Sequence, residues 1–188
     1  MCYKKLYQTV GDRGNPIEVE TDGPFKCTNI KREPWLGEGY YFWENYIENA
    51  HWWGEKGYGK HYMICSAICE DNNFFDLTSG STEHIDILRS YWDILLKRKP
   101  NKNWTVGGVL MHMIKYSNLF TYVAIRADGI NSANRNATVS RYRLYFPNNT
   151  SYINLMPQIQ ICIIDKVGAG LRDYQVIHPP HYCSGGYV

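Results

Sequence analysis

Two glycines followed by a run of aromatics, Gly37-Glu38-Gly39-Tyr40-Tyr41-Phe42-Trp43, lead into Glu44-Asn45-Tyr46-Ile47-Glu48-Asn49-Ala50-His51-Trp52. Glycines let a backbone turn tightly or lie close against a ligand, and aromatic faces hold flat rings by stacking. On a helix beginning near Glu44, the residues Tyr46, Ile47, Ala50 and Trp53 share one face at spacings of three and four, as buried positions do. Trp52 falls about 100° away from Trp53, toward Glu48 and Asn49, where a large ring off the buried stripe can close a pocket. The same pattern also describes a strand-to-helix turn whose aromatics only fill a core. Polar side chains stand in two other apolar segments: Gln8 after Leu6-Tyr7, and Gln158 and Gln160 between Met156 and Asp165. A glutamine donates and accepts, so each can hold a hydroxyl or a carboxamide. Gln158 and Gln160, two apart on a strand, point to one sheet face.

The elements that carry these residues follow from periodicity. A first strand is expected from Lys4 to Val10, then a polar surface loop from Gly11 to Pro34. After the aromatic segment and its helix, His61 to Glu70 alternates as a strand, and Asp76-Leu77-Thr78 opens a helical region. Ser81 or Thr82 can cap a helix with Ile85, Leu88, Trp92 and Leu95 inward, closed by the basic turn Lys97-Arg98-Lys99 before Pro100. Thr105 can cap a second helix through Leu110, Met113, Ile114 and Ser117. Strands are expected at Thr121 to Arg126, Val139 to Phe146, Gln158 to Asp165 and Tyr174 to Ile177, with turns at Asp128-Gly129 and Pro147-Asn148-Asn149. Strands first, a helix after the second strand, a helical insertion, then strands to the end make an α+β domain.

Composition bounds the rest. A chain of 188 residues, 44% hydrophobic and 20% charged, fits one globular domain over 1–188. A formal charge of +2 is too small to demand a nucleic-acid partner, so any such case rests on local clusters. The six cysteines, with no secretory signal ahead of them, read as reduced thiols, and the expected location is the cytoplasm. Cys65 and Cys69 have no second Cys or His pair at zinc-ligand spacing, so no metal is expected. No run of about 18 apolar residues exists to span a membrane.

The glycine and aromatic segment resembles the NAD-gripping motif of ADP-ribosyltransferases, with Tyr41 in the place of the motif tyrosine and Ala50 and Trp52 as the small residue and aromatic downstream. The poly(ADP-ribose) polymerase and diphtheria-toxin branch of that family carries His, Tyr and Glu in three motifs. Here Gln8 takes the histidine's place, 33 residues before Tyr41, and Gln160 takes the glutamate's. The resemblance implies a split β-sandwich whose two sheets frame an NAD cleft. It implies Gln8, Tyr41 and Gln160 as catalytic residues, and Tyr7, Thr9, Gly39, Tyr41, Ala50 and Trp52 around NAD, with the nicotinamide between Tyr41 and Trp52. Gln158 and Arg126 then meet the acceptor or a pyrophosphate, a plain salt bridge being the alternative for Arg126. The implied activity is NAD-dependent ADP-ribosyl transfer to a macromolecule, one unit per site because Gln160 cannot act as a base. NAD hydrolysis and a noncatalytic nucleotide- or protein-binding module are the alternatives. A small transferase of this kind is similar to toxin, antitoxin or phage-defence components, which implies an antitoxin or regulatory protein as a further partner. Lys97, Arg98, Lys99 and Lys102 with Arg135, Arg141 and Arg143, interleaved with Tyr142 and Tyr145, tilt the acceptor toward nucleic acid over protein.

Overall fold

In the computed structural model, residues 2–28, 33–78, 80–118, 120–128, 143–145, 147 and 151–183 are described. The order is β1 (Tyr3–Gly11), α1 (Pro16–Asp22), β2 (Tyr40–Glu44), α2 (Ile47–Tyr58), β3 (Tyr62–Glu70), β4 (Phe74–Asp76), α3 (Thr82–Arg98), α4 (Val106–Tyr116), β5 (Ala124–Ala127), β6 (Arg143–Tyr145), β7 (Tyr152–Asn154), β8 (Gln160–Ile163) and β9 (Arg172–His178). Seven strands form one sheet in the order β4-β5-β8-β2-β1-β3-β9, and β6 with β7 makes a separate hairpin. The fold is α+β, with α3 and α4 inserted between β4 and β5. Among the described strands, β4 and β5 are the one pair of neighbours that runs parallel.

The centre of the sheet is its narrowest seam. Strand β1 pairs with β3 along nine residues, Tyr3 to Gly11, but with β2 only at Leu6↔Glu44 and Tyr7↔Trp43. Beyond those pairs β1 continues along β3 while β2 continues along β8, where Tyr40 to Trp43 face Ile163 to Gln160. The sheet therefore forks between β1 and β2.

Opposed residues of an antiparallel ladder share a face and successive residues alternate. One face carries Tyr7, Trp43 and Ile64, covered by α2 through Ala50 and Ile47, and Phe75, Ile125 and Cys162, covered by α3 and α4 through Leu88, Leu110 and Met113. The other buries Leu6, Phe42, Phe74, Ile161 and Ile163, and beside them Val10, Met63 and Cys65 under Val19 of α1.

Several sequence expectations shift. The stretch 11–34 contains α1: Asn15 accepts from the Glu18 N–H, Pro16 opens the helix, and Val19 is fully buried. These are an N-cap and a first-turn proline inside an otherwise polar stretch. Strand β2 runs to Glu44, the chain turns at Asn45 with φ 63°, and α2 starts at Ile47. Phe74–Asp76 is a strand, because both phenylalanines are buried, one on each face. The inward stripe of α3 uses Leu88, Tyr91 and Leu95, whereas Trp92 is 44% exposed. Thr105 does cap α4, accepting from Gly108 N–H at 2.9 Å. Of the strand expected at 139–146, only Arg143 to Tyr145 lies among the described residues. Gly129, Arg135, Arg141, Tyr142, Asn148 and Asn149 lie outside them.

Helix α2 meets the sheet along its small residues, Ala50 and Gly54. A Cβ at Gly54 would lie 2.5 Å from Cδ2 of Tyr62. That ring cannot swing aside easily: its hydroxyl is 2.9 Å from Nδ1 of His51, and His178 stacks on it at 5.2 Å. Alanine normally stabilises a helix over glycine by about 1 kcal/mol. At Gly54 overpacking outweighs this, and Gly54→Ala should destabilise by about 1–3 kcal/mol. At Gly57, where the nearest atom to a new Cβ is Trp53 Nε1 at 4.0 Å, the same change should stabilise. Urea midpoints of the two variants shifting in the same direction would refute this account of the helix–sheet contact.

Candidate functional site

Of the residues singled out from sequence, Gln8 sits on β1, Tyr41 on β2 and Gln160 on β8, three neighbouring strands. Their side chains do not converge. Tyr7, Trp43 and Gln160 form one cross-strand row, and Tyr41 lies two residues from Trp43 on the same face. Gln8, next to Tyr7, points to the opposite face.

Gln8 is 5% exposed and fully engaged. Its Oε1 accepts from Phe25 N–H at 2.9 Å and from the Tyr174 hydroxyl at 2.8 Å. Its Nε2 donates to Phe25 O at 3.0 Å and Tyr41 O at 3.4 Å. All four hydrogen-bonding positions of the amide are used, which leaves none for a ribose hydroxyl or a carboxamide. Gln8 is a brace across the fork, tying β1 to β2, to the chain at Phe25 and to β9.

Tyr41 is held in a similar way. Its hydroxyl donates to Gly37 O at 2.7 Å and accepts from Leu36 N–H at 2.9 Å, closing the turn before β2. Burial first, then the neighbouring Cys162, pushes the phenol far above the ordinary tyrosine range, so it stays protonated. Its ring packs with the α3–α4 cluster, whereas Trp52 packs with the α2 cluster, edge-on to Trp43 at 6.2 Å. Trp43, 2% exposed, is in the row between them. The helix start explains Trp52. The small Ala50 and Gly54 set the line of closest approach, so Trp52 folds against Trp43 at the margin and Trp53 turns outward, 44% exposed.

Gln160 is 7% exposed at the start of β8, and its Oε1 accepts from the Trp35 indole N–H at 2.7 Å. An indole N–H can only donate, so this bond fixes the amide's orientation. The Gln160 NH2 then has no hydrogen-bond acceptor among the described residues. Beside it in the cross-strand row are Trp43 and, beyond it, Tyr7, with Tyr41 two residues along β2 on the same face, and Ala50 and Trp52 of α2 pack in the cluster of Tyr7 and Trp43. Thr9 shares this face and donates to the Ala50 carbonyl at 2.8 Å, pinning α2 to β1. Gly39 pairs with Cys27, and a Cβ there would meet Cys162 Sγ at 2.4 Å and Ile163 O at 2.8 Å. A glycine is required at this position by the neighbouring strand. Gln158, half-buried, precedes β8.

Arg126 takes the salt-bridge alternative. On the face opposite Gln160, its Nε and Nη2 clamp Glu44 at 2.6 and 3.3 Å, and Nη1 reaches Asp76 at 2.9 Å and the Thr78 hydroxyl at 3.1 Å. Lys4 meets Glu44 at 2.9 Å. The guanidinium is thus committed to carboxylates of its own chain. Glu44 and Trp35 were missed from sequence. A carboxylate closing the apolar run Tyr40-Tyr41-Phe42-Trp43 was the available signal for the first. Nothing in the stretch around Pro34 distinguished the second.

The thiols of Cys65, Cys69 and Cys162 are buried, and burial raises them to about 11, 12 and 12, so they are inert thiols at neutral pH. Among the described residues no three His, Cys, Asp or Glu side chains gather to hold a metal ion. No described helix is long and apolar enough to cross a membrane. Compared with known proteins, the chain matches no family model, no curated protein and no solved structure.

Proposed function

We propose that the chain is an NAD-dependent mono-ADP-ribosyltransferase, acting as a toxin or defence effector, whose fold is an ADP-ribosyltransferase-like split β-sandwich. The observation that carries the proposal is the adjacency of β8, β2 and β1: three segments singled out by resemblance, far apart in sequence, are neighbours in the sheet. The fork between β1 and β2 is compatible with a split sandwich, and Gln160 keeps a donor directed at no described acceptor.

In this reaction the bond between the nicotinamide nitrogen and the anomeric carbon of ribose breaks. Neutral nicotinamide leaves with the bonding electrons, and a nucleophilic atom of the acceptor bonds to the anomeric carbon. The acceptor's proton goes to solvent or to a base of the acceptor, since a glutamine takes none. The Gln160 NH2 would donate to a ribose hydroxyl, and Tyr41 and Trp52 would hold the nicotinamide ring and exclude water, with the buried Trp43 packed behind Trp52. Neither tyrosine chemistry nor a cation from Arg126 is needed. An antitoxin or regulatory protein is a natural partner for such an activity.

A noncatalytic module is favoured by a different observation: Gln8 and the Tyr41 hydroxyl are satisfied within the chain. Radiolabelled NAD incubated with the protein and cell lysate, followed by nuclease and protease digestion in parallel, separates the cases. A labelled macromolecule supports transfer. Free ADP-ribose alone means hydrolysis, and intact NAD means a binding module.

A further inference from the structure

Trp104 links two features of the α3–α4 insertion that lie away from the candidate NAD site. The first is a cavity of about 290 Å³ lined by Ile85, Leu88, Trp92, Trp104, Val106 and Val109, with Arg89 and Thr105 completing the wall. It is large enough for a flat ring system the size of a nucleobase. The Trp104 indole N–H is shut away from solvent and has no acceptor among the described residues. A base offers a flat face to the rings of Trp92 and Trp104 that line this cavity.

The second is a strip of cations and aromatics leading away from that cavity. Lys102 Nζ lies 3.7 Å from the centre of the Trp104 ring. His112 meets the same ring edge-on at 5.6 Å, and Tyr116, 65% exposed, lies 4.7 Å from His112. Lys115 stands over Tyr116 at 5.2 Å. Arg98 and Lys99 at the end of α3 act electrostatically on His112, as Lys102 does. Together with burial, the larger cause, they hold its imidazole below the ordinary histidine range. None of the ion pairs among the described residues uses Arg98, Lys99, Lys102 or Lys115. Of the acids nearby, Asp86 pairs with Arg89, while Glu33, which accepts from the Thr105 hydroxyl, and Asp93 on α3 are in none of the ion pairs among the described residues and bound the strip on its acidic side. Cations outside any ion pair, interleaved with aromatic rings and beside an apolar slot, suit a chain of phosphates with unstacked bases.

We propose that the α3–α4 face is a binding site for single-stranded nucleic acid, with one base in the cavity against Trp92 and Trp104 and the phosphates along Arg98, Lys99, Lys102 and Lys115. Duplex suits it less, because its bases are stacked away from the rings. This site stands independently of the transferase proposal; where both hold, the bound strand is the acceptor.

The test is fluorescence anisotropy with a labelled mixed-sequence single-stranded oligonucleotide, without NAD, over a range of salt. The Lys99→Glu/Lys102→Glu double variant should weaken binding at least ~10-fold. It should also reduce the slope of log Kd against log salt by roughly 1.4, about 0.7 per phosphate contact. Trp92→Ala, at a position 44% exposed, should weaken binding by roughly 5- to 100-fold in protein that circular dichroism shows to be folded. In NMR titration the bound strand should move the His112 midpoint upward, because phosphates neutralise the cations that depress it. Unchanged affinity in both variants would overturn the site. So would binding of a poly-glutamate peptide, or of the same sequence as duplex, as tight as that of the single strand. Because the assay contains no NAD, failure here leaves NAD cleavage untouched, and failure of NAD cleavage leaves this result standing.

Discussion

Glu44→Ala is expected to destabilise the protein by about 3–5 kcal/mol, the loss that follows when one partner of a buried ion network is removed. Glu44 is 3% exposed and is held by Arg126 at 2.6 Å and by Lys4 at 2.9 Å. Without it, Arg126 keeps only Asp76 and Thr78, and Lys4 keeps only the more exposed Asp71. The network joins β1, β2, β4 and β5 across the face opposite α2, so the loss is felt over most of the sheet. In thermal unfolding it corresponds to a fall of roughly 6–20 °C for a domain of this size. A fall below ~1 kcal/mol in urea denaturation would show that the network is merely surface charge. Glu44→Ala with Arg126→Met should be less damaging than the two single losses added together, since no uncompensated cation stays behind.

The same network fixes an acid response. Burial works to raise the Asp76 carboxyl, but hydrogen bonds from the Thr78 backbone and side chain, with the Arg126 charge, outweigh it and hold the group below the usual carboxylate range. A carboxyl depressed in the folded state contributes its full stabilisation above the unfolded value, about pH 4, and loses it as pH falls through the lower folded value. Asp76→Asn should accordingly flatten the acid side of the stability profile below about pH 4.

Gln160→Ala should reduce NAD cleavage by roughly 10²-fold, the scale on which removal of a preorganised donor acts in the transition state. Gln158→Ala should change the rate far less and act on the choice of acceptor. The alanine also strands the Trp35 indole N–H, at a cost of about 1–3 kcal/mol. Rates therefore need comparing at a temperature where urea curves show both variants folded. Gln160→Glu is the sharper probe, because a carboxylate keeps the bond from Trp35 while adding the negative charge that favours a developing oxocarbenium ion. A variant with unchanged rate and products would remove the basis for placing Gln160 at the reacting centre.

The sequence showed most of the elements because they follow short-range rules. Strand-forming residues between turn signals marked β1, β3 and β9, with alternation invoked only for β3, and Thr105 announced α4 through its cap. Helix α1 was missed although its Asn15 cap and Pro16 are local signals, because they stand in an otherwise polar stretch; the missed strands are those whose formation depends on distant partners. Phe74–Asp76 is too short to show a period and exists because β5 lies beside it. Tyr152–Asn154 is a strand only against β6. The candidate site was legible as strands but not as side chains. That Gln8 and Tyr41 belong to adjacent strands could be reached by motif order. That Gln8 spends its amide on Phe25 and Tyr174 required knowing where residues 17 and 166 positions away return. Arg126 shows the same limit, since its partner Glu44 is 82 residues away.

Two ladder pairs between β1 and β2 have a mechanical consequence. The half made of β1, β3 and β9 is knitted by continuous registers, and so is the half containing β2, β8 and β5, while the seam between them rests on the Leu6 and Tyr7 ladder pairs, the Asn45 N–H to Lys5 carbonyl bond, the Gln8 brace and the Lys4–Glu44 ion pair. Such a sheet can open as two cooperative units, each keeping its own amide protection, before either unravels. Native-state hydrogen exchange would then reveal two plateaus of protection, and the amides at the seam would exchange through a motion cheaper than global unfolding.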